Sequence, residues 1–384
     1  MNIVCAETVL AGTPAFQTLG TCTVLPDRAI TSDHLQNTDA LIVRSKTSIN
    51  AELLTGTPVQ FVGTATAGTD HLDIPWLEQH NIRWCAAPGC NADSVAEYIT
   101  AALLTLTQTS PFTLHKKTIG IIGCGHVGQA LIKKARALNL RILQNDPPLA
   151  AQNPTEKYYP LHTLLNEADI ITLHTPLTHH GSWPTAHLAN FPFFQELKPS
   201  ALFINAARGG ICDYDAWLHA HQQAHLTTSI IDVWDPEPHI RPDCIQQAQL
   251  ATPHIAGHSF EGKFNGTLAC YHALCQHLNH PPTWQPESHM PPPQHPHLEI
   301  DAATFSTEEA LLHHIVQATY PIQRDDTALR ALQPLDEIER AQQFDLLRKT
   351  YPLRREFNAT TVHLRNATEA TEHKIHALGF NLEL

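Results

Sequence analysis

The sequence of 384 residues lacks the features that mark membrane, secreted and nucleic-acid-binding proteins. No apolar run approaches the roughly 20 residues that a membrane-spanning helix needs. The first residues lack the basic flank and the apolar core of a signal peptide. Acidic residues outnumber basic ones by 37 to 24, whereas binding to nucleic acid requires a basic surface. We therefore expect a cytoplasmic protein that has neither nucleic acid nor membrane as a partner.

The cysteines and histidines do not form recognisable ligand patterns. The nine cysteines include no CxxC pair and no spacing typical of zinc ligands, which favours free thiols over disulfides. The 27 histidines include adjacent pairs such as His179-His180 and His313-His314, but neither pair lies in a pattern of acidic or cysteine ligands. A compositional bias explains them better than a metal, and no metal site is predicted.

Length and a hydrophobic content of 42% allow more than one substantial core. Short strands and helices alternate through residues 1–92. From 93 to 254 the pattern of strand and helix repeats, and its almost continuous apolar strands are typical of a parallel sheet that is covered on both faces. A helix follows within residues 255–280. Residues 281–296 are rich in proline and indicate a stiff linker, and residues 297–384 are amphipathic and rich in predicted helix.

Individual elements can be placed from apolar runs and turn residues. Strands are predicted at residues 3–5, 40–43, 61–63, 119–122, 141–143, 169–173, 202–205, 229–233 and 361–364. A long helix is predicted to run to about Leu106, with either Asn91 or Asp93 as its N-cap.

A glycine-rich turn follows the strand at residues 119–122. Its spacing is G-x-G-x-x-G, and such a turn lets a pyrophosphate approach the backbone at the N-terminus of the next helix. Glycines also end strands for structural reasons alone, but Asp146 follows the next strand at about the 20-residue spacing of a ribose-binding acid. The predicted dinucleotide site therefore comprises Gly123, Gly125, His126, Val127, Gly128 and Asp146.

The residues around Asp146 also indicate which dinucleotide binds. A carboxylate accepts hydrogen bonds from ribose hydroxyls but repels a 2′-phosphate. Pro147 and Pro148, which follow, offer no arginine to such a phosphate. We expect NAD as the cofactor.

Three chemically complementary residues follow successive strands downstream of the glycine turn. The fork of Arg208 suits the carboxylate and oxygen of a 2-hydroxy acid. Glu237 and His254 supply a carboxylate and an imidazole, and a neighbouring carboxylate raises the pKa of an imidazole above its usual value of about 6.5. Taken one at a time, each residue also has an ordinary structural interpretation: a surface arginine, a glutamate in a turn and a structural histidine. Together they predict a hydroxy-acid dehydrogenase in which the imidazole takes the hydroxyl proton.

Other polar residues also follow predicted strands. Asp232 fits either a contact to the nicotinamide carboxamide or an ordinary acid at a strand end. Residues 63–70 (GTATAGTD) have small side chains and exposed amides that suit an anion, although a plain turn has the same composition. Ser45, between Arg44 and Lys46, is a second candidate anion contact.

These motifs resemble those of the D-isomer-specific 2-hydroxyacid dehydrogenase family over roughly residues 1–280. The matching segments are residues 64–73, the glycine turn, 205–209 (NAARG), 232–234 (DVW) and 252–257 (TPHIAG). The resemblance implies a Rossmann-type, doubly wound parallel NAD domain (93–254) inserted in a discontinuous flavodoxin-like substrate domain (1–92 and 255–280). It also implies a small α+β C-terminal domain (297–384) that forms a homodimer, beyond the linker at 281–296.

The resemblance assigns roles residue by residue. Arg208, Glu237 and His254 are implied to be catalytic. The implied NAD contacts outside the glycine turn are Asp146, Thr175, Ala206, Asp232 and Gly257, and Ser45 and Thr66 are implied to bind the substrate.

A finer resemblance is to the branch of the family that oxidises 4-phospho-D-erythronate, on the evidence of residues 259–263 (SFEGK), the proline-rich break with its long tail, and 351–357 (YPLRREF). It implies formation of 3-hydroxy-2-oxo-4-phosphobutanoate in pyridoxal 5′-phosphate biosynthesis. That branch usually has tyrosine where this chain has His258, which remains the predicted substrate contact. The phosphate is expected to bind Arg44 or, across a dimer, Arg348, Arg354 or Arg355. The alternatives are another family member, such as one acting on 3-phosphoglycerate, and a non-catalytic NAD-sensing scaffold.

Overall fold

The computed structural model describes residues 1–153, 155, 157–285, 289–352 and 354–383. These residues form two compact units, of which the first comprises residues 1–91 and 259–292 and the second comprises 92–258 and 293–384. Pro286, Glu287 and Ser288 of the predicted linker lie outside the described residues, as does Leu353 of the tail motif. Among the helices of the described ranges, none has the length and apolar character needed to span a bilayer.

The strands, in chain order, are β1 (Asn2–Ala6), β2 (Thr21–Leu25), β3 (Ala40–Val43), β4 (Phe61–Thr64), β5 (Arg83–Cys85), β6 (Thr118–Ile122), β7 (Arg141–Asn145), β8 (Ile170–Leu173), β9 (Ala201–Asn205), β10 (Leu226–Ile231), β11 (Leu250–Ala251), β12 (His297–Asp301), β13 (Thr361–Arg365) and β14 (Asn381–Glu383). The helices are α1 (Gly12–Phe16), α2 (Ala51–Leu54), α3 (Ile74–Gln79), α4 (Ala92–Thr109), α5 (His126–Ala137), α6 (Pro147–Gln152), α7 (Leu161–Glu167), α8 (Phe191–Gln195), α9 (Tyr214–Gln222), α10 (Pro242–Gln247), α11 (Phe260–His277), α12 (Glu308–Thr319), α13 (Gln323–Arg330), α14 (Glu337–Lys349) and α15 (Glu369–Ala377).

The first unit is built on a parallel sheet of order β2-β1-β3-β4-β5, which is the flavodoxin-like order predicted for it. Its central strands β3 and β4 are wholly buried, because helices cover both faces of such a sheet. α11 packs against β4 and α1. A Cβ atom at Gly266 in α11 would lie 2.5 Å from the carbonyl oxygen of Ala65, so glycine is required for this close approach.

The second unit is built on a parallel sheet of order β11-β10-β9-β8-β6-β7. β6, β8 and β9 are buried along their whole length, which confirms the prediction of a doubly wound parallel sheet. α4 is buried from Ser94 to Leu106, as expected of a helix whose residues are mostly apolar on every side. Asp93 lies in the first turn of α4, so its prediction as the N-cap is wrong, and Asn91 immediately precedes the helix.

Residues 293–384 belong to the same compact unit as the six-stranded sheet. They add a parallel sheet of order β12-β13-β14 and the helices α12 to α15, which confirms the predicted α+β class. α12 packs on α4, and α15 packs on α5. Buried polar groups contribute to this packing, because Glu97 of α4 accepts a hydrogen bond from the backbone N–H of Phe357 (3.0 Å) and lies 3.6 Å from Lys134 Nζ. Burial raises the pKa of Glu97 to about 8, although Lys134 opposes that rise.

Candidate active site

The three glycines of the turn between β6 and α5 have different structural requirements. Gly123 has φ +91°, and a Cβ atom there would lie 2.6 Å from the carbonyl carbon of His174. A Cβ atom at Gly128 would lie 2.3 Å from the carbonyl oxygen of Gly123. Gly125, in contrast, has open space where a Cβ atom would be. The first and third glycines are therefore needed for packing, whereas the second leaves the backbone open to a ligand.

The turn presents backbone amides at the start of a helix. α5 begins at His126, and no side chain caps it at Gly125. Both residues are exposed and Val127 is half-buried. The unsatisfied N–H groups at such a helix start attract an anion such as a pyrophosphate.

Asp146 ties this turn to the end of β7. Its Oδ2 accepts a hydrogen bond from the backbone N–H of Cys124 (2.8 Å), and its Oδ1 accepts one from the N–H of Leu149 (3.0 Å), which caps α6. A carboxylate has about four acceptor sites, so capacity remains for ribose hydroxyls. The predicted acid therefore lies directly beside the predicted glycine turn.

Thr175 lies on the other side of the turn. A Cβ atom at Gly123 would lie 2.8 Å from the backbone nitrogen of Thr175. Within the described part of the chain, Thr175 Oγ1 is buried and has no hydrogen-bond partner. Buried hydroxyls almost always have partners, so this orphaned oxygen, together with the open backbone at Gly125, fits a bound dinucleotide.

His254 and Glu237 form a hydrogen-bonded pair. The Nδ1 of His254 lies 2.8 Å from Oε2 and 3.0 Å from Oε1 of Glu237. The His254 side chain is 30% exposed, whereas that of Glu237 is 19% exposed. Because Glu237 engages Nδ1, the Nε2 atom of the imidazole is left as the nitrogen that can act on a substrate.

The backbone of His254 is strained and is held by Asp232. His254 has φ +55°, a backbone conformation that residues other than glycine rarely adopt. Its N–H donates to the carbonyl oxygen of Asp232 (2.7 Å). The Asp232 carboxylate, which is buried, accepts from Thr252 Oγ1 (2.6 Å) and from the N–H groups of Ile255 (2.8 Å) and Ala256 (2.9 Å). Asp232 thus fixes the turn that carries the imidazole, and a contact from it to nicotinamide stays a prediction.

Arg208 lies in a tight loop after β9. Asn205 holds this loop, because its Nδ2 donates to the carbonyl oxygen of Arg208 (3.1 Å) and its Oδ1 accepts from the N–H of Ala207 (3.2 Å). A Cβ atom at Gly209 would lie 1.9 Å from the carbonyl oxygen of Trp234. The loop that presents the arginine therefore packs directly against the segment that leads to Glu237. Ala206, a predicted NAD contact, is half-buried in the same loop.

The C-terminal region contributes a cation to the pair of Glu237 and His254. Arg348 Nη1, near the end of α14, lies 3.5 Å from Glu237 Oε2, and the Arg348 side chain is 17% exposed. Burial alone raises the pKa of Glu237, but the charge and hydrogen bond of His254, followed by the charge of Arg348, outweigh it and hold that pKa below its usual value. Sequence reasoning named Arg348 for another role, and no local pattern marks it as a partner of Glu237.

Arg354 also makes its hydrogen bonds within its own chain. Its Nη2 donates to the carbonyl oxygens of Ala256 (2.8 Å) and Ser94 (2.9 Å) and to Ser94 Oγ (2.9 Å). Its guanidinium lies 4.1 Å from the ring centroid of Tyr320, and the residue is 6% exposed. The prediction that Arg354 reaches a phosphate across a dimer is therefore wrong. It holds the backbone next to the turn of His254 instead.

The predicted substrate contacts are divided between the two units. Ser45, Arg44 and Thr66 belong to the first unit, where Ser45 is exposed and Thr66 Oγ1 donates to the carbonyl oxygen of Gly68 (2.9 Å). His258 belongs to the second unit, is half-buried, and stacks edge-on against Tyr351 with ring centroids 5.8 Å apart. Gly257 precedes it and is also half-buried.

Comparison with known proteins agrees with this geometry. The family described as "D-isomer specific 2-hydroxyacid dehydrogenase, NAD binding domain" matches residues 99–256, and a "Domain of unknown function (DUF3410)" matches residues 289–379. A protein from Proteus mirabilis, named erythronate-4-phosphate dehydrogenase, is 39% identical over 99% of each chain. The chain belongs to the D-isomer-specific 2-hydroxyacid dehydrogenase family. A relative of the same name from Yersinia pestis is 39% identical over the full length of both chains.

Family membership establishes the chemistry at a general level. The chain is an NAD-dependent dehydrogenase, and NAD is its cofactor, as the glycine turn and Asp146 predict. Solved structures show the same fold. The 3-phosphoglycerate dehydrogenase of Entamoeba histolytica with NAD bound has a TM-score of 0.63 and 24% identity, covering 74% of this chain and 98% of that one. The formate dehydrogenase of Staphylococcus aureus with NAD has a TM-score of 0.60 and 24% identity, with the same coverage.

Proposed function

We propose that this dehydrogenase oxidises 4-phospho-D-erythronate to 3-hydroxy-2-oxo-4-phosphobutanoate with NAD, as a step of pyridoxal 5′-phosphate biosynthesis. The reaction type rests on one observation above all: the 2.8 Å contact between His254 and Glu237 on a turn fixed by a buried aspartate. The substrate rests on the similarity to erythronate-4-phosphate dehydrogenases, which extends over the whole chain, including its C-terminal region.

The proposed mechanism divides the work among three side chains. Arg208 holds the C1 carboxylate and the C2 oxygen with its guanidinium. The neutral imidazole of His254 takes the C2 hydroxyl proton at Nε2, and Glu237 stabilises the imidazolium that forms. NAD, when bound, supplies the acceptor for the C2 hydride. The orientation of His254 is preset, because Nδ1 is already engaged by Glu237.

Residues on both sides of the glycine turn are proposed to bind NAD. The turn supplies Gly123, Gly125, His126, Val127 and Gly128 to the pyrophosphate, and Asp146 accepts from the ribose. The other proposed contacts are Thr175, Ala206, Asp232 and Gly257. The orphaned hydroxyl of Thr175 and the open backbone at Gly125 support this placement.

The substrate contacts and the larger organisation are proposals as well. Ser45, Thr66, His258 and Arg44 are proposed to bind the phosphorylated hydroxy acid. The domain ranges are proposed as 1–92 with 255–280 for the substrate domain, 93–254 for the NAD domain, 281–296 for the linker, and 297–384 for a domain that forms the homodimer. A cytoplasmic location is proposed on the composition described above.

Arg348 is proposed as a positioning residue that acts through Glu237. Arg348 Nη1 and His254 Nδ1 both contact Oε2 of Glu237, at 3.5 Å and 2.8 Å, so the guanidinium joins the pair through the carboxylate. From there it keeps Glu237 ionised and limits its motion. This position argues against the prediction that Arg348 binds the substrate phosphate.

The proposed substrate can be tested by measuring NADH formation with 4-phosphoerythronate, 3-phosphoglycerate and D-lactate, each with and without 2-oxoglutarate to recycle the cofactor. We expect a strong preference for 4-phosphoerythronate that is lost in His254→Ala. Preference for another hydroxy acid would discard the proposed substrate while keeping the reaction type. No turnover of any of them would favour the non-catalytic scaffold.

A further inference from the structure

Two histidines and a glutamate meet on the C-terminal sheet, away from the site described above. His297 lies in β12, His363 in β13 and Glu383 in β14. His297 Nδ1 lies 3.4 Å from His363 Nε2, and Glu383 Oε2 lies 3.4 Å from the same nitrogen. One ligand atom from each residue lies within 4.8 Å of the other two. We call these residues the three-strand cluster.

The register of the parallel sheet brings the cluster together. His363 pairs with Glu299 of β12 on one side and with Glu383 of β14 on the other. Residues two apart in a strand share a face, so His297 and Glu299 lie on the same face of β12. Val362, on the opposite face, is fully buried in the core. The cluster therefore lies on the face of the sheet that points away from the core.

Two of the three distances between ligand atoms of the cluster match tetrahedral coordination. Zinc binds imidazole nitrogen and carboxylate oxygen at 2.0–2.2 Å, and a tetrahedral angle then separates neighbouring ligand atoms by about 3.4 Å. Both distances from His363 Nε2 have this value. Two imidazoles and one carboxylate also form a known set of zinc ligands, with water in the fourth position.

A second carboxylate lies near the central histidine, beyond hydrogen-bond distance. Glu299 Oε1 lies 3.9 Å from His363 Nδ1, on the side of the ring opposite the cluster. Histidines that bind metals usually direct their other ring nitrogen to a carboxylate, a carbonyl or water, which fixes the tautomer and makes the ligand more basic. With Glu299 and Glu383 both ionised, two negative charges also balance a divalent cation.

We propose that the three-strand cluster binds one Zn²⁺ per chain through His297 Nδ1, His363 Nε2 and Glu383 Oε2. The ion ties β14, an edge strand of three residues, to the rest of the sheet. His297 and Glu383 are exposed, so the ion exchanges readily with solvent and chelators remove it. Zinc displaces the proton of each imidazole nitrogen that it binds, so acid competes with zinc for the cluster.

The test uses the full-length protein after treatment with EDTA and dialysis. Calorimetric titration with Zn²⁺ is expected to give one equivalent per chain with a Kd of about 10 μM or tighter. His363→Ala and Glu383→Gln should each weaken that binding at least tenfold. His373→Ala removes an exposed histidine of α15 that is not part of the cluster, and it should leave the binding unchanged.

A melting experiment gives a second readout that does not depend on activity. Zn²⁺ should raise the Tm of the wild type and of His373→Ala, because a ligand that binds only the folded state stabilises it. It should not raise the Tm of Glu383→Gln, an exposed substitution that leaves the fold intact. The proposal would be overturned by an absence of stoichiometric binding. It would also be overturned if His363→Ala and Glu383→Gln bind zinc as the wild type does, which would assign the binding to the many other histidines.

Discussion

Replacing Arg348 with glutamine removes a cation that lies 3.5 Å from Glu237 Oε2. Arg348 Nη1 and His254 Nδ1 both contact Oε2 of Glu237, at 3.5 Å and 2.8 Å, so the two nitrogens are no more than about 6 Å apart. Two unit charges at about 6 Å interact by roughly 3 kcal/mol at an effective dielectric constant of about 20. Both Arg348 and Glu237 are partly accessible to solvent, and screening reduces this to about 1 kcal/mol. A factor of ten in a protonation equilibrium corresponds to about 1.4 kcal/mol. The acid limb of the kcat/KM profile is therefore expected to move by roughly half a pH unit to one pH unit.

The sign of the shift follows from the charge that is lost. Before oxidation begins, the pair of His254 and Glu237 must be free of the proton that it will accept from the C2 hydroxyl of the substrate. Removing a neighbouring cation favours the protonated form of the pair, so the pair holds its proton to a higher pH. The acid limb of the kcat/KM profile for oxidation should therefore move upward in Arg348→Gln. Arg348→Lys, which keeps the charge, should restore most of the profile.

The assay is kcat/KM against pH for the wild type and for these variants. Arg340→Gln is a matched control, because Arg340 lies in the same helix and holds the carbonyl oxygens of Ile240 (2.9 Å) and Leu335 (2.6 Å) without touching the pair. It should lower stability and leave the pH profile in place. An unshifted profile in Arg348→Gln, or an equal shift in both arginine variants, would refute an electrostatic role for Arg348.

Three further predictions concern catalysis, packing and pH-dependent stability. Glu237→Gln should lower kcat by about 10²- to 10⁴-fold with little change in the KM for NAD, and steady-state kinetics with both substrates varied would show whether binding changed instead. Gly209→Ala should cost about 1–3 kcal/mol, because its Cβ atom would lie 1.9 Å from the Trp234 carbonyl oxygen; urea unfolding measures this, and an unchanged midpoint would contradict it. Burial raises the pKa of Glu97 in the folded state to about 8, so its contribution to stability is fully present below about pH 4.5 and is lost as the pH rises toward 8. Glu97→Gln should therefore gain stability relative to the wild type between pH 5 and pH 8 in urea titrations, and an equal difference at both pH values would exclude this linkage.

The parts of the fold that follow from local patterns could be predicted from the sequence. Strands such as β6, β8 and β9 are continuous apolar runs because both faces of a parallel sheet are covered, and the glycine turn has a fixed spacing because its backbone must approach a pyrophosphate. β12 and β14 were missed. Both alternate polar and apolar residues in short segments, and their pairing partner β13 is distant from β12 in the sequence.

The contacts of the candidate site that join residues far apart in the sequence could not be predicted. Arg348 and Glu237 are separated by more than a hundred residues, and an arginine near the end of a polar helix has no distinguishing pattern. Arg354 was expected to bind a phosphate across a dimer, whereas burial against Tyr320 determines its contacts. The three-strand cluster was missed for the same reason. Its ligands come from three strands, and strand pairing, not sequence spacing, brings them together.

Hydride transfer from the substrate to NAD can be followed directly through the hydrogen on C2. 4-Phospho-D-erythronate labelled with deuterium at C2 is incubated with NAD, an excess of purified wild-type protein and, in parallel, the His254→Gln variant. We expect deuterated NADH and an equal amount of the 2-oxo product from the wild type, with formation slowed by orders of magnitude in the variant. Unlabelled NADH, or an equal rate in the variant, would contradict removal of the C2 hydroxyl proton by His254 as the hydride leaves C2.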